Sequence, residues 1–343
     1  MQRDHVAPVT TLALAATLAL GAAVAAPHAH AETAERAPYT FAVIGDVPYG
    51  SADEAAFPSF VDRINADPDV ALVTHLGDIK SGSTTCTDQR FANVAGQFAR
   101  FQDPLVYTPG DNEWTDCHRV NNGGYQPLER LAKLRHLFFP APGTTLGAPS
   151  HVTSQASQGV PENVRYVRGG VSFATLHVVG SNDDLNPWDG IGNTEATPEQ
   201  VSEEQHRMAA AVENVRAAFR TAKTQQLGTV VLQQQADMFD PTVSDPQPSA
   251  YSAFEPLVQT LVDESRRFHG RVYLFNGDSH RFNVDRPLAD GSSWLSFYGV
   301  KHDADNLQRV TVDGSDRGEV DWLKVRVADD GALEFTQVFN PAS

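Results

Sequence analysis

The sequence predicts an α/β protein in which two sheets pack together and helices cover the outside. Three apolar segments in the first half of the chain each end in a Gly-Asp pair, and residues with helical periodicity follow the first two. Near the carboxyl end the pattern changes to closely spaced apolar segments, which leave no room for crossover helices. Repeated βα units followed by a β-rich end are typical of such a layered fold.

The three Gly-Asp pairs stand at nearly equal intervals. Strands are predicted at 40–44, 71–76 and 104–107. The loops after them carry Asp46, Asp78 and Asp111, at intervals of 32 and 33 residues, close to the roughly 30 residues of a βαβ unit. Such crossovers make parallel strands, whose carboxyl-end loops lie along one edge of the sheet. We therefore expect the three aspartates to share one site.

Periodicity also predicts the elements that follow. They are a helix near 128–137, a long surface loop at 143–161, a β-hairpin at 165–179, a helix at 203–225, a strand at 229–232, a helix at 254–268 and a strand at 271–275. Four closing strands are predicted near 294–298, 307–312, 320–327 and 333–338.

The amino-terminal residues have the pattern of an export signal. Arg3 precedes an Ala-rich apolar stretch at 6–26, and the small-x-small sequence Ala29-His30-Ala31 follows it. We predict that residues 1–31 are a cleaved signal peptide, that residues 32–343 form one domain, and that the protein is secreted or periplasmic. No other segment of the sequence predicts a membrane span after cleavage.

Charge and cysteine content narrow the possible partners. The formal net charge of -17 argues against binding to a nucleic-acid backbone or an anionic membrane and favours a small substrate. Cys86 and Cys117 are the only cysteines, and two thiols in an oxidising compartment tend to pair. A disulfide is therefore predicted, with two buried free thiols as the alternative. The sequence makes no prediction of oligomeric state.

Four short motifs in a fixed order carry a resemblance to a known family. They are Gly45-Asp46, Gly77-Asp78, Pro109-Gly110-Asp111-Asn112-Glu113 and Gly277-Asp278-Ser279-His280. In this order, and at strand ends, they resemble the calcineurin-like metallophosphoesterases, which include the purple acid phosphatases. The resemblance implies a four-layer αββα sandwich of two mixed sheets with outer helices. It also implies that two divalent metal ions and an activated water hydrolyse a small phosphorylated substrate.

The resemblance further implies which residues hold the ions. Asp46 and His280 fall on ligand positions of the first ion, and Asp78 falls on the bridging position. Asp111 replaces an asparagine that holds the second ion in the family. The last of these ligand positions, a lone histidine in the family, aligns with Gln235 or its neighbour Gln234.

Three more positions depart from the family pattern. Pro48 replaces a histidine, and the neighbouring Tyr49 offers an oxygen instead. Asn112 stands where the family has the histidine that protonates the leaving group, and Asp278 replaces another metal-binding histidine. A site rich in carboxylate and amide oxygen and poor in imidazole favours Mg²⁺, Ca²⁺ or Mn²⁺, with Fe and Zn²⁺ as further candidates.

Four residues besides Asn112 are candidates for catalytic roles. Glu113 or His118 would donate the proton that the family's histidine supplies, and Arg119 would grip a phosphate. The alternative for His118 and Arg119 is a place on a surface loop with no role in the site. Lys80 raises a different possibility, because its ammonium would neutralise clustered carboxylates in place of an ion, and the site would then hold one ion or none.

Two other functions fit parts of the sequence. The first is an exported, non-catalytic protein that binds a metal or a phosphorylated ligand on the same fold, because several family histidines are missing. The second is a serine esterase with Ser279 as nucleophile, which is disfavoured because no Asp-x-x-His pair follows it.

Asn182 and Asp183 follow an apolar strand and are secondary site candidates, whereas His75 and His177 are expected in the core.

Overall fold

The structure of the protein, a computed structural model, describes residues 39–314 and 320–339. The predicted signal peptide at 1–31 lies outside these ranges, so its cleavage stays a prediction. Within the described ranges, no helix combines the length and the apolar character that a membrane crossing requires.

The strands of the described residues form two mixed sheets. Along the chain they are β1 (Tyr39–Ile44), β2 (Val70–His75), β3 (Pro104–Tyr107), β4 (Leu146–Gly147), β5 (Thr153–Gln155), β6 (Val160–Arg168), β7 (Val171–Thr175), β8 (Thr229–Gln233), β9 (Arg271–Asn276), β10 (Asn283–Asp285), β11 (Leu307–Thr311), β12 (Val320–Val327) and β13 (Leu333–Phe339). The six-stranded sheet has the order β13-β12-β1-β2-β3-β4, and the seven-stranded sheet has the order β10-β11-β9-β8-β7-β6-β5. In each sheet, parallel pairs in the middle are flanked by antiparallel pairs.

Three buried apolar clusters define the layers. Phe41, Phe173 and Phe275 belong to the cluster between the two sheets. The other two clusters join each sheet to its own helices. On the six-stranded sheet these helices are Gly50–Asn65, Asp88–Phe98 and Pro127–Phe138, and on the seven-stranded sheet they are Pro198–Thr224 and Glu255–Arg266. The prediction of an α/β sandwich of two mixed sheets with outer helices is confirmed.

The first βα units form because strand and helix periodicities follow one another along the chain. In the first unit, β1 is buried along nearly its whole length, and its helix buries Phe57, Phe60, Val61 and Ile64. In the second, the Thr87 hydroxyl accepts a hydrogen bond from the Arg90 backbone N–H and begins the helix Asp88–Phe98. Because β1, β2 and β3 are parallel neighbours, the loops after them lie at one edge.

The seven-stranded sheet supplies the other half of this edge. Its strands β7, β8 and β9 are parallel neighbours, and their loops carry Ser181, Gln235 and Asp278. The long helix before β8 begins earlier than predicted, at Pro198, because Thr197 and Gln200 form a capping box. The loops of both sheets can therefore meet over a shared site.

Two predicted segments are wrong in detail. The region 294–298, predicted as a strand, is the helix Ser293–Phe297. The Ser292 hydroxyl accepts from the Trp294 backbone N–H at 3.3 Å, and Trp294 then packs against Phe239 with ring centroids 5.8 Å apart. Aromatic residues favour strands in general, but here packing decides their conformation. The predicted loop at 143–161 contains β4, β5 and the start of β6.

A buried ion pair joins β6 to the helix Pro127–Phe138. The carboxylate of Glu162 lies 2.6 Å from Arg135 Nη2 and 2.6 Å from His177 Nδ1. Burial opposes ionisation of Glu162, but Arg135 and His177 outweigh it and lower the pKa of this carboxyl to about 2. Burial lowers the pKa of His177, so the neutral ring donates its Nδ1 proton to the carboxylate.

Glu162→Gln is expected to destabilise the protein by about 2 to 3 kcal/mol at pH 7, below the roughly 3 to 5 kcal/mol of a fully buried pair, because Arg135 is partly exposed. The folded pKa of Glu162 lies below its ordinary value of 4.5. Its stabilising contribution is therefore complete above that pH and is lost as the pH falls toward 2.

Urea unfolding between pH 3 and pH 7 measures this difference. The exposed Glu195 provides a matched control, and Glu195→Gln is expected to change stability by less than about 0.5 kcal/mol. A difference between Glu162→Gln and the unchanged protein that stays constant across this pH range would contradict the assignment.

Candidate metal centre

Unusual backbone conformations mark the loops at the shared edge. Asp46, Asp78, Asp278 and His280 have φ values of 55°, 58°, 72° and 56°, in the left-handed region that costs a residue with a Cβ roughly 1 to 2 kcal/mol. Such strain persists where surrounding contacts hold it, and it is concentrated at functional sites. The loops are therefore shaped to aim these side chains rather than to connect elements at least cost.

Two glycines allow the loops to approach one another. A Cβ at Gly110 would lie 2.1 Å from Asp78 Oδ1, and a Cβ at Gly277 would lie 2.4 Å from Asp46 Oδ2. Any side chain at these positions would displace the carboxylates. Gly110 and Gly277 thus serve the close approach between loops, in addition to any role in their own turns.

The structure brings Asp46, Asp78 and His280 together into a first group of possible metal ligands. His280 Nε2 lies 3.2 Å from Asp46 Oδ1. The hydroxyl oxygen of Tyr49 lies 3.3 Å from Asp46 Oδ1, 3.2 Å from Asp78 Oδ2 and 3.3 Å from His280 Nε2. Four potential ligand atoms from three loops therefore converge on one point.

These separations fit a metal ion. With metal–ligand bonds of about 2.0 to 2.2 Å, neighbouring ligands of a tetrahedral or octahedral ion lie about 3.0 to 3.5 Å apart. The four separations of 3.2 to 3.3 Å fall in this range. The Tyr49 hydroxyl has a single proton, so it can donate to one of its three neighbours at most. A divalent cation would satisfy all of them at once.

Asp78, Asp111 and Asp278 form a second group, which shares Asp78 with the first. The amide of Gln235 lies against it, and its Nε2 donates to Asp78 Oδ2 at 3.3 Å and to Asp111 Oδ1 at 3.2 Å. The hydroxyl of Ser181 donates to Asp111 Oδ2 at 3.0 Å. This group therefore consists of three carboxylates that already receive hydrogen bonds from the protein.

Buried like charges control the electrostatics of both groups. Burial, reinforced by the charges of neighbouring acids, raises the pKa of the Asp78 and Asp278 carboxyls well above the ordinary value. Burial also raises the pKa of Asp111, although Ser181 and Arg119 oppose it. A cation placed among these acids would favour their ionised forms. The chemistry of the donor set thus suits a divalent metal ion.

Lys80 is buried beside these acids, but its hydrogen bonds go to the backbone. Its Nζ donates to the carbonyl oxygens of Ser81 and Asn112 at 2.9 and 2.5 Å. Burial lowers the pKa of Lys80 to about 8, against the opposing charges of nearby acids such as Glu113. Lys80 therefore holds the loop after β2 against the loop after β3 and contributes positive charge from a distance.

Asn112 occupies the rim of the first group. Its Nδ2 donates to Asp78 Oδ2 at 2.8 Å and to the Tyr49 hydroxyl at 3.1 Å, and its backbone N–H donates to Asp78 Oδ1 at 3.1 Å. Arg119 lies nearby, since both its guanidinium and the Asn112 side chain border Gly82. Arg119 pairs with Asp116 at 2.7 Å and remains 43% exposed, so it can also reach a ligand.

The two proposed proton donors are held by other contacts. Glu113 is buried, and its Oε1 accepts from the Asp78 N–H, the Tyr107 hydroxyl and the Gly110 N–H at 3.1, 2.8 and 2.8 Å. His118 Nδ1 accepts from the Gly190 N–H at 3.2 Å. Glu113 thus fixes two site loops to each other, and His118 is tied to a neighbouring loop.

In the segment Gly180–Asp183, the side chain that contacts the second group is that of Ser181, whereas the sequence points to Asn182 and Asp183. Ser181, Asn182 and Asp183 all have left-handed backbone conformations, and the resulting turn aims Ser181 at Asp111. Asp183 instead forms a buried ion pair with Arg207, and the Asn182 side chain accepts from the Ala253 N–H. The polar run after β7 signalled the segment, but the backbone conformation selects which side chain reaches the site.

The disulfide between Cys86 and Cys117 is present, as predicted. It links the loop after β2 to the loop after β3. The cross-link spans 31 residues, and closing a loop of this size stabilises the folded state by about 3 to 4 kcal/mol on the chain-entropy estimate. The disulfide therefore joins the two loops that carry Asp78 and Asp111 covalently. The hydrogen bonds of Glu113 and Lys80 join the same two loops non-covalently.

Comparisons with known proteins add a likeness of fold. No protein-family model and no curated protein sequence matches this chain. Among solved structures, the chain is similar to GAP50, the anchor in the inner membrane complex of Plasmodium, with 10% sequence identity and a TM-score of 0.47. The similarity covers 88% of this chain and 84% of that chain. At this identity and TM-score, the chemistry of the site rests on the residues of this chain alone.

Metal-free protein is expected to lose stability as the pH rises from 5 to 8. The folded pKa of Asp78 and Asp278 is raised, and that of Asp116 is raised to about 8, first by burial and then by the charge of Asp111. Their contribution to stability is complete below their ordinary pKa near 3.8 and is lost as the pH rises through the folded values.

Thermal unfolding with EDTA and with saturating Mn²⁺ measures this effect. Mn²⁺ is expected to raise the melting temperature more at pH 8 than at pH 5, since the ionised acids bind the cation. Asp78→Asn should reduce the increase, whereas NaCl at matched ionic strength should not reproduce it. An equal effect of Mn²⁺ at both pH values would contradict the electrostatic account.

Proposed function

We propose that this protein is a metal-dependent phosphoester hydrolase whose ion is held by Asp46, Asp78, His280 and Tyr49. The observation that carries the proposal is the convergence of these four side chains, with separations of 3.2 to 3.3 Å, at the loop edge of the two sheets. Open α/β folds bind their ligands at such edges. A small phosphorylated molecule is the proposed substrate.

Charge gives the reason why a phosphate would need the ion. Buried carboxylates alone would repel a phosphate, so binding depends on a cation among them. When bound, a divalent ion polarises a phosphoryl oxygen and lowers the pKa of a coordinated water. Asn112 and Arg119 lie at the rim and offer an amide and a guanidinium to the remaining phosphate oxygens. The acids therefore hold the ion, and Asn112 and Arg119 orient the phosphate that it binds.

The source of the proton for the leaving group is the feature of this site that fits hydrolysis least well. Glu113 and His118 accept hydrogen bonds from other loops, and the amide of Asn112 is too weak an acid to protonate a leaving group. A positioned general acid contributes roughly 10² to 10⁴ in rate. We therefore propose that the enzyme acts best on esters whose leaving groups are already acidic, such as aryl phosphates, and poorly on alkyl phosphates.

A second candidate function has its own support. The same contacts of Glu113 and His118 suit an exported protein that binds a metal or a phosphorylated ligand without hydrolysing it. In that case the strained loops and buried acids would serve binding alone. The two candidates differ in one observable, which is turnover.

Hydrolysis of 4-nitrophenyl phosphate and bis(4-nitrophenyl) phosphate with Mg²⁺, Mn²⁺ or Zn²⁺ tests the proposal. We expect turnover with at least one metal, and a loss of at least about 100-fold in kcat/KM for Asp78→Asn and for Asp46→Asn, because metal affinity falls when its ligands are altered. Asp245→Asn, which changes an exposed acid, should retain full activity.

Comparison of 4-nitrophenyl phosphate with an alkyl phosphate adds a check on the missing acid. The alkyl ester should be slower by far more than in an enzyme that has a general acid. Activity that survives Asp78→Asn would contradict the assignment of Asp78 to the metal site. Absence of turnover with every metal and ester, together with retained metal binding, would favour the binding-only function.

We also propose that the protein acts outside the cytoplasm. The export-signal pattern at 1–31 and the Cys86–Cys117 disulfide support this, since disulfides persist in oxidising compartments. Amino-terminal sequencing of protein exported by a bacterial host should give a chain that begins at Glu32. Retention of residues 1–31 would contradict the cleavage.

A further inference from the structure

The amide of Gln235 lies between two carboxylates of the second group. The residue follows β8 in the middle of its sheet and is fully buried. Its Nε2 donates to Asp78 Oδ2 at 3.3 Å and to Asp111 Oδ1 at 3.2 Å. The two amide hydrogens thus occupy the space between the carboxylates with partial positive charge.

The orientation of this amide is fixed by its other end. Gln235 Oε1 accepts from the Gly180 backbone N–H at 2.7 Å. A flipped amide would set NH₂ against this N–H and set oxygen against two carboxylates. It would also leave a buried donor without an acceptor, which costs roughly 1 to 3 kcal/mol. Gln235 therefore faces Asp78 and Asp111 as a hydrogen-bond donor. Its amide oxygen points away from them, toward the Gly180 N–H, and is not placed to bind a metal ion between them.

Gly180 has little freedom to release the amide. A Cβ at this position would lie 2.6 Å from Asp111 Oδ2 and 3.1 Å from Asp278 Oδ1, so its backbone is packed directly on the second group. The left-handed turn that follows is anchored by the buried pair of Asp183 and Arg207. The Gly180 N–H therefore stays where Gln235 needs its partner.

The other acids of this group also receive protein donors. Ser181 donates to Asp111 Oδ2 at 3.0 Å, and the Asp237 N–H donates to Asp278 Oδ2 at 3.1 Å. The first group receives donors as well: Asn112 donates to both oxygens of Asp78, and the Asp278 N–H lies 3.2 and 3.3 Å from the two oxygens of Asp46. Hydrogen bonds thus offset the charge of the second group, which consists of carboxylates alone. The first group also contains a ring nitrogen, His280 Nε2, which lies 3.2 Å from Asp46 Oδ1 and can ligate a cation beside it.

We infer that the Gln235 amide takes the place of a second cation, so that this centre binds one divalent ion, held by the first group. The inference rests on the proposed metal centre and departs from the two ions that the family resemblance implies. Asp78 then ligates one ion, while its Oδ2, which also faces Tyr49, accepts from the Gln235 amide. Gln235 is a positioning residue that sets the number of ions.

Metal counting on the purified protein tests the inference without any assay of activity. After removal of metal with EDTA, titration with Mn²⁺ followed by isothermal calorimetry and elemental analysis is expected to give one ion per chain. Electron paramagnetic resonance should show the six-line spectrum of an isolated Mn²⁺. Two ions per chain, or the spectrum of a coupled pair, would overturn the inference and leave the proposed function standing.

Substitution at this position sharpens the test. Gln235→Glu keeps an acceptor for the Gly180 N–H and replaces the NH₂ with a carboxylate oxygen, so it is expected to raise the count from one Mn²⁺ to two. Gln234→Glu adds a carboxylate one residue away, where the native amide donates to the Ala236 carbonyl, and it should leave the count at one. Circular dichroism of each variant would show whether it folds.

The outcomes separate the two proposals. A count that stays at one in folded Gln235→Glu would show that the amide does not exclude the second ion, and would overturn its assigned role. If Gln235→Glu fails to fold, the count and spectrum of the unchanged protein still decide between one ion and two. Absence of any bound ion would overturn the metal centre and this inference together.

Discussion

Burial of like charges at the loop edge is the constraint to which the rest of this site responds. Asp46, Asp78 and Asp111 are almost wholly removed from solvent, and the charges of Asp111 and Asp46 raise the cost of ionising Asp78. Asp78 stands at the centre, because it belongs to both groups of possible ligands. Its oxygens accept from Asn112 and Gln235, which offset part of the charge, and a divalent cation would offset much of the remainder.

The scaffold around these acids is correspondingly rigid. Glu113 accepts hydrogen bonds from the two loops that carry Asp78 and Asp111, and the disulfide and Lys80 join the same loops. The left-handed residues at the edge store strain that such contacts hold in place. Because the acids are fixed before any ligand arrives, little reorganisation is needed on binding, which is how preorganised sites gain electrostatic strength.

The repeated βα units and the site aspartates follow from the sequence because they depend on local patterns. Apolar periodicity sets strand and helix, and equal spacing of Asp46, Asp78 and Asp111 places them after parallel neighbours. The cysteine pair was likewise predictable from parity and compartment. The region 294–298 escaped prediction, since its aromatic side chains suit a strand as well as a helix, and only contact with Phe239 and Tyr251 distinguishes the two.

The roles of the site residues were decided by contacts between distant parts of the chain. Whether Gln235 offers an oxygen or an NH₂ depends on the Gly180 N–H, 55 residues away. The convergence of Tyr49 and His280 joins residues 231 positions apart. The sequence by itself determined the layered fold and the acids at one edge, because these follow from local periodicity. Only the tertiary structure decided donor and acceptor roles, because hydrogen-bond direction depends on partners from loops far apart in the sequence.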